Sequence, residues 1–217
     1  LAKKYNLISI IDNSYASPLL QNPIDFGIDL VVHSGTKYIN GHSDIVMGVI
    51  CGTTELIKKI FYSEYMTLGQ IISPHDASLA IRGLRTIHLR VDRSARSAAY
   101  ILEKLHNHPK IEKIYYPFLT DQQTLALKQM KGGGMFSLGL KAKTKEEMIR
   151  FAEALKSFLI AVSWGGHESL IMPVVAFHDN PGFTNSDNPW NMVRFYIGLE
   201  DPDVLLNDIL QALAQIS

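Results

Sequence analysis

Residues 28–37 read Ile-Asp-Leu-Val-Val-His-Ser-Gly-Thr-Lys: a β-branched apolar run that gives way abruptly to polar groups. Residues 7–12 (Leu-Ile-Ser-Ile-Ile-Asp) and 45–51 (Ile-Val-Met-Gly-Val-Ile-Cys) are similar runs. Apolarity that is continuous rather than alternating marks strands covered on both faces, as in a parallel sheet. The three runs therefore predict an α/β fold with a mostly parallel sheet. Ligands of open α/β sheets collect at the carboxyl ends of strands. Asp12 stands at the end of the first run, and the cluster His33-Ser34-Gly35-Thr36-Lys37 at the end of the second.

Outward from there, residues 54–62 read as a helix. Ser73 and Pro74 supply an N-cap and a first helical position for a long helical stretch reaching about His106. Gly83 within it costs about 1 kcal/mol against alanine, so a kink or close packing is expected there. Pro109 ends the helix. Beyond it the pattern predicts strands over 111–116, 135–141, 158–163 and 192–198. Helices are predicted over 121–131, 144–156 and 202–216, the last opened by Asp201-Pro202. Residues 178–190, rich in Asn, Pro, Gly and Asp, read as an exposed loop. The expected organisation is the C-terminal part of a larger α/β domain over 1–74, a connecting helix over 75–108, and a small α+β domain over 109–217. Because the chain opens at Leu1 with a helix end running into a strand, it reads as a piece of a longer protein.

Lysine plus arginine number 21 and aspartate plus glutamate 21, a net charge of zero. That excludes a general nucleic-acid binder, which needs a basic excess, and a polybasic membrane clamp. With 47% hydrophobic and 19% charged residues, the chain is too apolar for disorder. The single cysteine, Cys51, excludes an intramolecular disulfide framework and a Cys-rich zinc site. It suits a reducing cytosol, and a cytoplasmic location is expected. No apolar run reaches the 18 or so residues of a membrane span, and the start lacks the shape of a signal peptide.

The polar cluster carries the chemistry. A lysine in a partly dry site can form a Schiff base with a carbonyl. A carboxylate such as Asp12 can hold a protonated pyridine nitrogen. The hydroxyls of Ser34 and Thr36 can hydrogen-bond a phosphate. Together they describe a site for pyridoxal 5′-phosphate (PLP); the plainer alternative is that Asp12 caps a turn and Lys37 is solvated. Ser34-x-x-Lys37 with Ser186-Asp187-Asn188 also matches a serine β-lactamase pair, but no Lys-Thr-Gly follows. A P-loop is missing. The eight histidines are scattered, with no His-Glu-x-x-His, so no metal site is expected, and His42 reads as structural. Arg194 is either a strand-end ion pair with Glu200 or a bidentate clamp for a substrate carboxylate.

Several stretches resemble one known family: Asp12-Asn-Ser-Tyr-Ala-Ser-Pro18, residues 31–44, Arg82-Gly-Leu-Arg-Thr86, Gly133-Gly-Met-Phe-Ser137, Ser163-Trp-Gly-Gly-His-Glu-Ser-Leu170 and Arg194-Phe-Tyr-Ile-Gly-Leu-Glu-Asp201. In order and across nearly the whole chain, they are similar to the fold-type I PLP enzymes of cysteine and methionine metabolism, the cystathionine synthases and lyases and methionine γ-lyases. The resemblance implies that Lys37 bonds the cofactor and moves protons, and that Asp12 pairs with the pyridine nitrogen. It implies that Ser34 and Thr36 contact the phosphate. Arg194 would bind the substrate carboxylate, with Ser163 and Trp164 beside it. The Trp-Gly-Gly-x-Glu-Ser-Leu run looks most like bacterial cystathionine β-lyases, with His167 where those carry tyrosine. The implied reaction is β-elimination of cystathionine to homocysteine, pyruvate and ammonia. γ-Elimination or γ-replacement on the same scaffold is the alternative, and a non-catalytic remnant or partner subunit is a reading of another class. Members of the family run nearly twice this length. A missing N-terminal half, with a phosphate-binding glycine loop and a ring-stacking tyrosine, is therefore an expected partner, as is a homo-oligomer built as a dimer of dimers.

Overall fold

The computed structural model describes residues 1–119, 121–180 and 187–217. Strands β1 (Ile10–Asp12) and β2 (Leu30–Ser34) pair in parallel, Ile10 opposite Leu30 and Asp12 opposite Val32. The parallel register brings the acid and the start of the lysine cluster to the same end of the sheet. Helix α1 (Ser17–Leu20) lies on the connection between them. Strand β3 (Gly48–Gly52) completes this three-stranded sheet on the far side of β2, antiparallel, with Ser34 opposite Gly48.

The parallel strand expected over 45–51 is thus corrected in both direction and bounds. A parallel return needs a crossover, usually helical. Residues 35–47 instead fold into turns around Lys37, so the chain re-enters β2's flank from the opposite end. Burial is also narrower than the apolar runs imply. Leu30, Val31 and His33 of β2 are buried, whereas Ile10 of β1 is 64% exposed and Ile50 of β3 is 47% exposed.

Helix α2 (Thr54–Ile60) continues through a π-helical turn into α3 (Met66–Leu68). Helix α4 (Pro74–Leu84) begins where expected: the Ser73 hydroxyl accepts from the Asp76 amide at 3.0 Å. The long helix breaks at Arg85 and Thr86 and resumes as α5 (Ile87–Leu105), the kink foreseen near Gly83.

The second sheet has five strands in the order β4-β5-β8-β7-β6. These are β4 (Ile111–Tyr115), β5 (Met135–Leu140), β6 (Leu159–Ile160), β7 (Leu170–Pro173) and β8 (Met192–Tyr196). All pairs are antiparallel except β6 with β7. Helices α6 (Gln123–Leu127), α7 (Lys145–Ala154) and α8 (Pro202–Leu213) complete the chain. Asp201 caps α8, its carboxylate accepting from the amides of Asp203 and Val204. Two expectations are corrected. The helix over 121–131 shrinks to five residues. The strand over 158–163 stops at Ile160, because the next carbonyls are taken by an arginine side chain rather than a neighbouring strand. Strand β7 was not anticipated. Part of the loop expected over 178–190, including Ser186 of the Ser-Asp-Asn run, lies outside the described residues.

Helices α5, α7 and α8 cover this sheet, burying Ile101, Leu105, Leu138, Phe151, Phe195 and Ile209 in one core. Each such side chain contributes about 1.5–3 kcal/mol by leaving water. A smaller cluster of Tyr38, Ile39, Ile87, Val91, Leu170 and Tyr196 joins the lysine loop to α5 and the second sheet. Among the described residues no helix is long and apolar enough to cross a membrane.

Candidate active site

The loop after β2 is held by its own backbone. The Lys37 amide donates to the Ser34 carbonyl at 3.1 Å, and the amides of Asn40 and Gly41 donate to the carbonyls of Gly35 and Lys37. The Thr36 hydroxyl accepts from the Met47 amide at 2.9 Å and donates to the Met47 carbonyl at 3.3 Å. From below, the buried Arg90 of α5 donates to the Tyr38 carbonyl at 2.9 Å, the Gly83 carbonyl at 2.8 Å and the Thr86 hydroxyl at 3.0 Å. Burial lowers the Arg90 pKa from its ordinary value. Its three charge-assisted hydrogen bonds fix the segment that follows Lys37.

Above the loop, Lys37 Nζ donates to Ser163 Oγ at 2.9 Å. It stands 5.7 Å from the centre of the Trp164 ring. That ring is met edge-on by Tyr38 at 5.6 Å and Tyr15 at 6.1 Å. Gly165 permits the approach. Its φ is +86°, and a Cβ there would lie 2.9 Å from the Lys37 Cβ, so only glycine suits the position. Arg194, on β8, donates through Nη2 to the carbonyls of Val162 (2.7 Å) and Ser163 (3.0 Å). Its Nε is buried without a partner among the described residues, and burial lowers its pKa. The ion pair with Glu200 does not form. Glu200 instead accepts from the amide and hydroxyl of Ser169 at 2.8 and 2.7 Å.

At the end of β1, Asp12 Oδ1 accepts from the Ser14 amide at 2.9 Å and the Ser14 hydroxyl at 2.6 Å. The Ser14 oxygen in turn accepts from the Ser34 amide at 2.5 Å. The Ser14 hydroxyl, then its amide, hold the Asp12 carboxyl below its ordinary value, with His33 adding to the effect and burial opposing it. Burial lowers the His33 pKa against the opposing pull of Asp12. Burial also pushes the Tyr38 phenol up to about 12 and raises those of Tyr15 and Tyr196. These phenols therefore stay protonated at neutral pH.

The structure thus brings Lys37, Ser163, Trp164 and Arg194 into one connected group, although they come from distant stretches of chain. It ties Asp12 to Ser34 through Ser14. The Ser34 hydroxyl makes no hydrogen bond within the described residues and is free for a ligand. The Thr36 hydroxyl is committed to Met47, which qualifies its expected contact with a phosphate. Ser14, Tyr15 and Arg90 were not foreseen. Only Ser14 left a signal, a serine two residues after an acid, the spacing of an Asx-turn.

Residues 1–214 match the model of the family described as Cys/Met metabolism PLP-dependent enzyme. The chain is 39% identical over 220 residues to the L-alanine/L-glutamate racemase of Wolbachia pipientis wMel, a match covering all of this chain and 54% of that protein. It is 40% identical over 223 residues to the L-methionine gamma-lyase of Pseudomonas putida, covering 98% and 55%. The crystal structure of cystathionine gamma synthase from Xanthomonas oryzae pv. oryzae in complex with cystathionine is similar with a TM-score of 0.90 at 36% identity. That match covers 99% of this chain and 57% of that one. The chain therefore spans little more than half the length of these relatives.

Proposed function

The chain belongs to the Cys/Met metabolism PLP-dependent enzyme family, and from that premise we propose that the protein carrying it is a carbon–sulfur lyase that cleaves the Cβ–S bond of cystathionine. The single observation that carries the proposal is the placement of Lys37, its amine on Ser163 Oγ and beside Trp164.

The donor set fits PLP. It offers a primary amine for the aldehyde, a carboxylate held in its charged form for a ring nitrogen, a free Ser34 hydroxyl for the phosphate, and a half-buried arginine for an amino-acid carboxylate. When bound, PLP supplies an electron sink that lowers the cost of negative charge at the substrate Cα. The protein's groups do the rest. Arg194, fixed by two backbone carbonyls, presents its remaining donors to the substrate carboxylate and so orients the Cα–H bond. Lys37, as the free amine, takes the Cα proton and delivers a proton to the departing sulfur. Ser163 holds the amine between these two tasks. Asp12 keeps the charge complementary to a protonated ring nitrogen. With one water taken up, which supplies the keto oxygen, the products are homocysteine, pyruvate and ammonia.

The Trp164 run supports β-elimination. A second reading, γ-elimination, is favoured by the 40% identity to the methionine gamma-lyase. Both readings share every role above, because one scaffold hosts several outcomes. The same proposal divides the chain at 1–74, 75–108 and 109–217. It also assigns the open edges of the first sheet, with exposed Ile10 and Ile50, to association with an N-terminal half and with further copies.

The test is borohydride reduction after incubation of the protein with PLP, followed by peptide mapping. A phosphopyridoxyl group on Lys37 is expected, and modification confined to other lysines overturns the role of Lys37. With the whole protein, cystathionine yields pyruvate in β-elimination and 2-oxobutyrate in γ-elimination. Conversion of L-alanine to its enantiomer without either keto acid overturns the lyase assignment. No turnover of either kind indicates the non-catalytic reading.

A further inference from the structure

We propose that Ser14 is a positioning residue, which locks the Asp12 carboxylate in its charged form and ties it to the strand that carries the lysine. The consequence for cofactor binding rests on the function proposed above; the lock itself does not.

The direction of the hydrogen bonds is forced. The Ser34 backbone N–H can only donate, so the Ser14 oxygen, 2.5 Å away, accepts. The single Ser14 hydroxyl proton then goes to Asp12 Oδ1, 2.6 Å away. A carboxylate that accepts from a hydroxyl and an amide at once is favoured in its ionised form. Ser14 itself is only 8% exposed, so water does not readily replace either bond. Its backbone N–H bonds the same oxygen. Oδ1 is therefore occupied twice, and Oδ2 takes no hydrogen bond from the described residues. The arrangement leaves one charged oxygen, of fixed orientation, to face a cationic group such as a protonated ring nitrogen. The link to Ser34 also sets the spacing between that oxygen and the turn leading to Lys37. The Ser14 bridge therefore couples the two strand ends that supply the acid and the amine. Of the neighbouring titratable groups, His33 on β2 acts on Asp12 in the same direction when charged.

Carbon-detected NMR of the Asp12 carboxyl, titrated without PLP, reads the lock directly. Ser14→Ala is expected to raise the Asp12 midpoint toward its ordinary value and to speed exchange of the Ser34 amide at least tenfold. Ser14→Thr, which keeps the hydroxyl, is expected to restore both. Ser14→Cys, close in size but a weak donor, repeats the test should the alanine variant fold poorly. A midpoint equal to wild type in both the Ala and Cys variants overturns the proposal. A parallel PLP titration by ring absorbance separates the two layers of inference. A shifted midpoint with PLP affinity weakened about tenfold supports both the lock and the assigned partner of Asp12. A shifted midpoint with unchanged affinity supports the lock and removes the ring nitrogen as that partner.

Discussion

Replacing Gly83 by alanine sets two known effects against each other. In an exposed helix interior the change stabilises by about 1 kcal/mol, because glycine gives up more backbone freedom on folding. Gly83 is not in such a place. It is buried in α4 against the lysine loop, and a Cβ there would lie 2.2 Å from the Asn40 carbonyl oxygen and 2.9 Å from that of Ile39. Both are backbone atoms, so no rotamer change relieves the contact, and helix and loop must separate by about 1 Å. Overpacking of this kind costs about 1–3 kcal/mol, occasionally more. The upper end applies, because Arg90 is also bonded to the carbonyls of Gly83 and Tyr38 and resists the separation. The expected net effect is a loss of about 2 kcal/mol, or about 4–8 °C in Tm at this chain length. Urea denaturation of wild type and Gly83→Ala, followed by circular dichroism, measures the difference. A stabilised alanine variant would refute the close approach of helix and loop. The same variant is expected to weaken PLP binding, because the segment that must move adjoins Lys37.

Three further outcomes follow from the site. Arg194→Lys keeps the charge but loses the planar guanidinium, whose Nη2 holds the Val162 and Ser163 carbonyls while its other nitrogens remain for a carboxylate; kcat/KM is expected to fall about 100-fold, the loss expected of charge-assisted hydrogen bonds, and a change below threefold in steady-state kinetics would rule out the clamp. Burial holds the His33 pKa below its ordinary value of 6.5, so the unfolded chain binds more protons than the folded one below that pH. Stability is then full above about pH 6.5 and declines as pH falls toward the folded pKa; His33→Asn is expected to flatten this decline between pH 7 and 5 in urea midpoints, and an unchanged slope would show that His33 is not its source. Tyr196→Phe removes the hydroxyl that donates to the Gly166 carbonyl at 2.8 Å and leaves that carbonyl unpaired, at a cost of about 1–2 kcal/mol; equal thermal midpoints would show that the bond adds nothing.

What was legible in the sequence was what is decided locally. The caps at Ser73 and Asp201 need only their own turn of helix. All three strands of the first sheet announce themselves by apolar runs, although only β2 is mostly buried. The direction of β3 was illegible, since it depends on what residues 35–47 do in space, and they turn around Lys37 rather than crossing over. The early end of β6 was hidden for a similar reason: it is imposed by Arg194, more than thirty positions later, whose guanidinium takes the carbonyls of Val162 and Ser163. Thr36 was assigned from its type, and a hydroxyl before a lysine reads the same whether it faces a ligand or, as here, the Met47 backbone. The family resemblance named Lys37, Ser163, Trp164 and Arg194, which the fold brings into one connected group, yet carried no information about Ser14 or Arg90, which hydrogen-bond around them.

The relative sizes of these terms show how Lys37 is held. Its own hydrogen bond to Ser163 is part-buried and adds about 1 kcal/mol net. The next residue, Tyr38, is 2% exposed, packs against Trp164 and Tyr196, and has its carbonyl on Arg90. Burying such a ring contributes about 2–3 kcal/mol, and the bond from a charged donor adds about 1.5–3 more. The backbone of Lys37 is thus anchored more strongly by its neighbour than its amine is by Ser163. That inequality would suit the change of partners proposed above for the amine: the stem stays fixed while Nζ can leave the serine. Loss of the Ser163 hydroxyl therefore disorders the amine alone, whereas loss of Arg90 releases the loop that carries it.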